Sequence, residues 1–204
     1  VFKEVLPMQN ESIRSANRTK YLFKDALLRL LETESFAYIS VRDIVETAEF
    51  TRTTFCNHYI DKFDLLDDVT QDFLDRFADA LQTSFQKYYP TNKMLMTKTD
   101  IIIFDFIYHN KNKYNLLLNK QKDFLPNYSR KLSEAVLDRL IDIWSSEVDM
   151  TDPSFKAYTK IFRYVLMGTI GGWMAEDFST DPETTTQEFV DYYNFKFDKI
   201  NKHS

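Results

Sequence analysis

A chain of 204 residues, 44% hydrophobic and 16% aromatic, can bury a substantial core. Its net charge of -5 excludes a strongly basic protein that wraps nucleic acid by charge alone. Three glycines, all between 168 and 172, and five prolines are too few turn residues for a β-sandwich or a doubly wound sheet, so an all-α fold is expected.

The first twelve residues, VFKEVLPMQNES, lack the apolar stretch and small-residue cleavage site of a signal peptide. A chain that opens on Val1 is expected to continue a longer sequence, which leaves room for a basic arm ahead of it. After a polar, basic lead, Phe23, Ala26, Leu27, Leu30 and Leu31 recur at helical spacing and predict an amphipathic helix over residues 18 to about 34. Ser40 with Asp43 three residues on forms a capping box, and Val41, Ile44, Val45 and Ala48 make one apolar stripe, so a helix of about two turns follows. Thr51 can cap a third helix through residue 58. Asp61 can cap a long fourth, in which Phe63, Leu66, Val69, Phe73, Phe77, Ala80 and Phe85 repeat towards Pro90.

Beyond Pro90, the segments near 94–109, 112–119, 127–148, 154–177 and 182–200 place apolar residues three or four apart, and all are expected to be helical. Within the first of these, IIIFDFI at 101–107 has strand propensity, but no second strand is available to pair with it. Asp152-Pro153 and Asp181-Pro182 mark two clear starts, with Asp at the cap and Pro at the first helical position, where a missing N–H costs nothing. No run approaches the roughly 18 apolar residues of a membrane span. The lone Cys56 excludes an internal disulfide, so a cytoplasmic setting without membrane attachment is expected. Residues 1–62 hold nine Lys/Arg and nine Asp/Glu, whereas residues 63–204 hold 17 against 22; the acidic excess lies in the larger part and a local docking surface near the start remains open.

Two short helices, 40–48 and 51–58, joined by a tight turn and preceded by a packing helix, have the skeleton of a helix-turn-helix. On a helical wheel Phe55 and Tyr59 share the inward side. Thr53 and Asn57 face outward, with Cys56 and His58 on the flanks. Such a helix can enter a major groove, where Asn pairs with adenine and Thr bonds a base edge or touches a thymine methyl. Arg52 and Lys62 are long enough to reach phosphates. The bland alternative is a three-helix packing unit with no nucleic-acid role.

ISVRDIVETAEFTRTTFCNHYIDKFDLL resembles the N-terminal signature of the TetR family of transcriptional regulators over residues 18–66. The resemblance implies double-stranded DNA contacts from Arg42, Thr51, Arg52, Thr53, Cys56, Asn57, His58 and Lys62. Glu49 stands where the family usually has Gly in the turn, and Cys56 where Tyr is common. YVLMGTIGGWMAEDFSTDPE is similar to the end of regulators of the dihydroxyacetone-kinase branch. In the family the last two helices usually form a dimer's four-helix bundle. Gly168, Gly172 and Ala175 fall on one stripe where another helix can approach closely, and this is the expected homodimer interface. Phe104, Tyr108, Tyr128, Trp144, Phe162 and Tyr164 are the candidates for lining a small-molecule effector pocket, although aromatic residues at helical spacing are in the main packing residues.

The expected organisation is a helix-turn-helix domain with its N-terminal arm over residues 1–62 and an effector-binding and dimerisation domain over 63–204. The expected function is a ligand-responsive transcriptional regulator, a repressor that binds a palindromic operator as a dimer. The alternative is a regulator-like protein with a degraded DNA surface that binds another protein. No cofactor, metal site or enzymatic activity is expected, because no histidine or cysteine spacing matches a metal site and no nucleophile sits beside a base.

Overall fold

The structure, a computed structural model, describes residues 5–88, 95–117, 128–145, 149 and 151–201. All regular elements among the described residues are helical: α1 Val5–Thr33, α2 Val41–Thr47, α3 Arg52–Cys56, α4 Lys62–Phe85, α5 Ile103–His109, α6 Lys111–Asn115, α7 Tyr128–Trp144, α8 Pro153–Ala175 and α9 Pro182–Asn201, with a single 3-10 turn at Lys98–Asp100. The chain divides into two compact units, Val1–Phe73 with Asn115–Pro126 and Leu74–Tyr114 with Asn127–Ser204.

Caps stand where the sequence places them. Asp152 Oδ1 accepts the N–H of Ser154 at 2.8 Å ahead of Pro153, and Asp181 Oδ1 accepts that of Thr184 at 3.0 Å ahead of Pro182. Asp61 Oδ1 accepts the N–H groups of Phe63 and Asp64 at 2.8 and 2.9 Å and opens α4. Two boundaries differ from expectation. Helix α1 begins at Val5, well before residue 18. The segment expected as one helix over 94–109 holds a 3-10 turn, an extended Ile101 and then the seven-residue α5.

In the first unit the core is built on Phe23, Ala26, Leu27 and Leu31 of α1, which meet Ile44 and Val45 of α2, Phe55 of α3 and Leu65, Leu66 and Val69 of α4, all buried. Each of these Val, Leu, Ile and Phe side chains contributes about 1.5 to 3 kcal/mol on burial. Phe63, expected on the same inward stripe of α4, is instead 52% exposed, its ring standing edge-on to Phe36 at 5.2 Å.

The second unit has an aromatic centre. Phe85 meets Phe162 at 5.0 Å, Trp144 meets Phe162 at 5.4 Å and Phe104 meets Phe189 at 5.3 Å. The carbonyl of Phe85, at the C-terminus of α4, accepts both the N–H of Tyr88 and the indole N–H of the fully buried Trp144, each at 3.0 Å. Helix α5 has no cap of its own. The hydroxyl of Ser84, on α4, accepts the N–H groups of Ile102 and Ile103 at 3.0 and 3.1 Å and does that work from a distance in sequence.

Candidate nucleic-acid interface

Three local devices shape the α2–α3 pair. At the start of α2, Ser40 Oγ accepts the N–H of Asp43 at 3.3 Å and Asp43 Oδ2 accepts the N–H of Ser40 at 2.8 Å, a complete capping box. The Ser40 hydroxyl also donates to Asp43 Oδ2 at 2.7 Å, and this bond, with that from the Ser40 N–H, holds the Asp43 carboxyl below its ordinary range. At its end the chain reverses through a left-handed residue: Glu49 has φ of 58°, its N–H reaches Glu46 O at 3.2 Å and that of Phe50 reaches Val45 O at 2.9 Å. This is the Schellman arrangement, which favours glycine at the left-handed position. It delivers Phe50 against Phe23, 5.2 Å between centroids. Thr51 then caps α3 by accepting the N–H of Thr54 at 3.1 Å.

The two sides of α3 are chemically distinct. Phe55 and Tyr59 are 1% and 3% exposed and stand edge-on to Phe23, at 5.3 and 6.2 Å. Thr51, Arg52, Thr53, Cys56 and Asn57 are exposed, and His58 is half-buried, 6.4 Å from the Phe23 ring. A network absent from the sequence-based site anchors the inner side. Tyr59 Oη donates to Asp68 Oδ2 at 2.8 Å, Lys24 Nζ pairs with Asp68 Oδ1 at 3.0 Å, and Lys20 lies 3.7 Å from the same carboxylate and 5.3 Å from the Tyr59 ring. Burial raises the Tyr59 hydroxyl well above its ordinary pKa, and its bond to Asp68 adds to this. For Asp68, burial pulls upward but the bonds from Tyr59 and Lys24 win, so the carboxyl sits below its usual range. Nothing local in the sequence marks this network, since Tyr59 and Asp68 are nine residues apart and Lys24 is on another helix.

Two expected phosphate contacts have partners inside the protein. Arg42 Nε donates to Glu46 Oε1 at 2.7 Å, one turn along α2, which leaves the guanidinium exposed but locally neutralised. Lys62 is engaged more fully. Its ammonium donates to the carbonyls of Phe36 at 2.8 Å, Ala37 at 3.2 Å and Ile39 at 2.7 Å, and lies 4.7 Å from the Phe36 ring centroid. An ammonium has three protons, and all three are used. Arg52 remains as an exposed cation of the α3 face. The same unit exposes two apolar residues that the sequence reading did not single out, Tyr38 at 81% and Ile60 at 89%.

Of the expected effector residues, the structure joins Trp144 and Phe162 directly, and Phe189 bridges Phe162 to Phe104 at 5.9 and 5.3 Å. Tyr108 is on the edge of this group, stacked on Trp173 at 5.9 Å and 19°. Tyr164 is not brought to it; it is 55% exposed beside Arg163, whose guanidinium carbon lies 4.5 Å from its ring centroid. The side chain of Tyr128 lies outside the described residues. Gly168, Gly172 and Ala175 are all exposed on α8, and a Cβ placed at Gly168, Gly171 or Gly172 would meet nothing within 4 Å. The same helix exposes Ile161, and α9 exposes Tyr192 and Phe195 at 45% and 59%. Among the described residues, no group of three or more His, Cys, Asp or Glu side chains is arranged to hold a metal ion, and no helix is long and apolar enough to cross a membrane.

Residues 97–194 match the family model for the C-terminal region of TetR-type transcriptional regulators. Among curated proteins, the chain is 21% identical over 168 residues to YxbF, an uncharacterized HTH-type transcriptional regulator of Bacillus subtilis strain 168. That match covers 81% of this chain but 42% of the relative, so the chain spans about two fifths of the relative's length. Among solved structures, a TetR transcriptional regulator from Streptococcus agalactiae 2603V superposes with a TM-score of 0.53 at 19% identity, covering 90% of this chain and 98% of the other. The dihydroxyacetone kinase operon activator DhaS gives 0.59 at 17% identity, covering 88% and 96%. At these identities the structural likeness is one of fold.

Proposed function

We propose that this chain, which belongs to the TetR family of transcriptional regulators, is a cytoplasmic, homodimeric, ligand-responsive repressor that holds a palindromic DNA operator with one α2–α3 pair per subunit. The observation that carries the reading is the division of α3: Phe55 and Tyr59 are locked inward while Thr51, Arg52, Thr53, Cys56 and Asn57 form an outward polar face. A helix so placed can present Thr53 and Asn57 to base edges and Arg52 to a phosphate. His58 and Cys56 flank that face. Arg42 reaches a phosphate only by giving up Glu46.

The exposed stripe of Gly168, Gly172 and Ala175 with Ile161, Tyr192 and Phe195 supports pairing of α8 and α9 with their copies in a second subunit, because it lets helices approach closely and covers apolar surface. The aromatic group of Phe104, Tyr108, Trp144 and Phe162 supports an effector site in the larger unit, with Tyr128 on the same helix as Trp144. Tyr164 belongs with the dimer face on its exposure. An effector that tilts α4 changes the separation of the two recognition helices, which must match successive major grooves about 34 Å apart.

A second reading has specific support. Glu49 in the turn, the Arg42–Glu46 pair and the committed Lys62 leave few free cations near α3, as a surface that binds another protein instead of DNA would. Mobility shift on the chain's own promoter region separates the two. The repressor reading expects a salt-sensitive complex, and Asn57→Ala weakens it by about 1 to 3 kcal/mol while leaving random DNA binding unchanged. Absence of any complex, with wild type and Asn57→Ala alike, leaves the protein-binding reading. DhaS is an operon activator, so the sign of control is tested separately: deleting the gene raises expression from the bound promoter if the protein represses and lowers it if it activates.

A further inference from the structure

Three aromatic rings pack together at the corner between α8 and α9, and a cation lies over two of them. Tyr108 and Trp173 stack 5.9 Å apart, and Phe178 stands edge-on to both, 5.0 Å from Trp173 and 6.2 Å from Tyr108. Lys111, at the start of α6, puts its Nζ 4.3 Å from the Tyr108 centroid and 5.9 Å from that of Phe178. Among the described residues no carboxylate is paired with this ammonium, so the rings are its neighbours of opposite polarity.

The corner is held in place at some conformational cost. Asp177 and Phe178 both take left-handed backbone angles, φ of 52° and 55°, and for a residue as bulky as Phe this is an outlier. Three bonds hold it: Asp177 N–H to Met174 O at 3.0 Å, Phe178 N–H to Trp173 O at 2.9 Å, and the Trp173 indole N–H to Thr180 O at 3.0 Å. The geometry presents the Phe178 ring to Tyr108 and Trp173. Its result is a cluster of three rings, two of which, Tyr108 and Phe178, hold a cation of the same molecule.

We propose that Tyr108 and Phe178, backed by the buried Trp173, form a binding site for a small quaternary ammonium compound, and that Lys111 is the internal cation which such a ligand displaces. A primary ammonium gives up strong hydrogen bonds to water when it enters an aromatic cage. A quaternary ammonium has no N–H to desolvate and presents methyl groups to several ring faces at once, so it gains more from the same cage. Lys111 is half-buried on a flexible four-carbon stem and can return its head to water. The inference rests on the reading of the larger unit as the effector domain, and it gives that effector a chemical class.

The test is calorimetric titration of the full chain with choline and with 3,3-dimethyl-1-butanol, its neutral isostere, followed in parallel by tryptophan fluorescence. Choline is expected to bind and the isostere to bind at least about tenfold more weakly, because shape is conserved and only the charge is lost. Lys111→Ala empties the cage without touching its rings and should tighten choline about two- to fivefold, the counterpart of an exposed cation–π contact. Phe178→Leu keeps apolar bulk and should erase the preference for choline over the isostere. Equal binding of the two compounds by wild type, an unchanged choline affinity in Lys111→Ala, or no heat from either protein at millimolar choline overturns the proposal. The titration contains no DNA, so its failure leaves the regulator reading standing, and failure of operator binding leaves the cage standing.

Discussion

Replacing Lys62 separates two physical roles that a cation at the start of α4 can have. If its ammonium is fixed on the carbonyls of Phe36, Ala37 and Ile39, Lys62→Ala removes three charge-assisted hydrogen bonds of 2.7 to 3.2 Å and a cation–π contact at 4.7 Å. The bonds to Phe36 and Ile39 are part-buried and the one to Ala37 is exposed. A hydrogen bond to a charged group contributes about 1.5 to 3 kcal/mol when shielded. Water can reach the exposed carbonyl and part of the other two, so the net loss expected is about 2 to 3 kcal/mol. Lys62→Met keeps the stem against Phe36 and Phe63 and should lose about 1.5 kcal/mol. Urea unfolding followed by far-ultraviolet circular dichroism reads both, with the exposed Lys156→Ala as the control for loss of a surface charge. Operator binding at several salt concentrations completes the test. The anchor role leaves the salt slope of folded Lys62→Met unchanged, whereas a phosphate contact lowers it by about one per subunit. A stability loss below about 0.5 kcal/mol together with a reduced slope would refute the reasoning and return Lys62 to the DNA surface.

Glu49→Gly should stabilise the first unit by about 1 kcal/mol, because glycine adopts the φ of 58° without the Cβ penalty, and the urea midpoint reads the gain. At Gly172 a Cβ has open space, so Gly172→Phe should leave the folded content unchanged while light scattering shows dimers dissociating; an unchanged dimer mass places the interface elsewhere. Asp100 is held down at about 2 by bonds from Lys87, Tyr88 and Thr97, at 2.6, 2.5 and 2.7 Å. A lowered carboxyl stabilises the fold above its unfolded pKa near 4 and loses that contribution as pH falls towards 2. Asp100→Asn should therefore lower the thermal midpoint at pH 7 and match wild type near pH 2; an equal deficit at both pH values would mean that packing, not charge, is responsible.

The parts of this protein that the sequence determines are those whose causes lie within a few residues of one another. Ser40 and Asp43, Thr51 and Thr54, Asp152 with Pro153 and Asp181 with Pro182 carry their partners at helical spacing, so the starts of α2, α3, α8 and α9 are legible in the residues alone. The outward face of α3 is legible for the same reason, since Phe55 and Tyr59, four residues apart, fix which side turns in. Tertiary structure alone decided where long side chains with several choices would end. Lys62 reaches carbonyls 23 to 26 residues away, Ser84 caps a helix that begins 19 residues later, and Trp144 finds a carbonyl 59 residues back. An ammonium, a hydroxyl or an indole N–H has no periodic signature, and its partner is whichever donor or acceptor the packed fold brings within reach. Phe63 and Tyr164 turned outward although each lies in an apolar helical pattern, because the buried stripe is set by which neighbours arrive, and a helix has more apolar residues than faces its neighbours can cover.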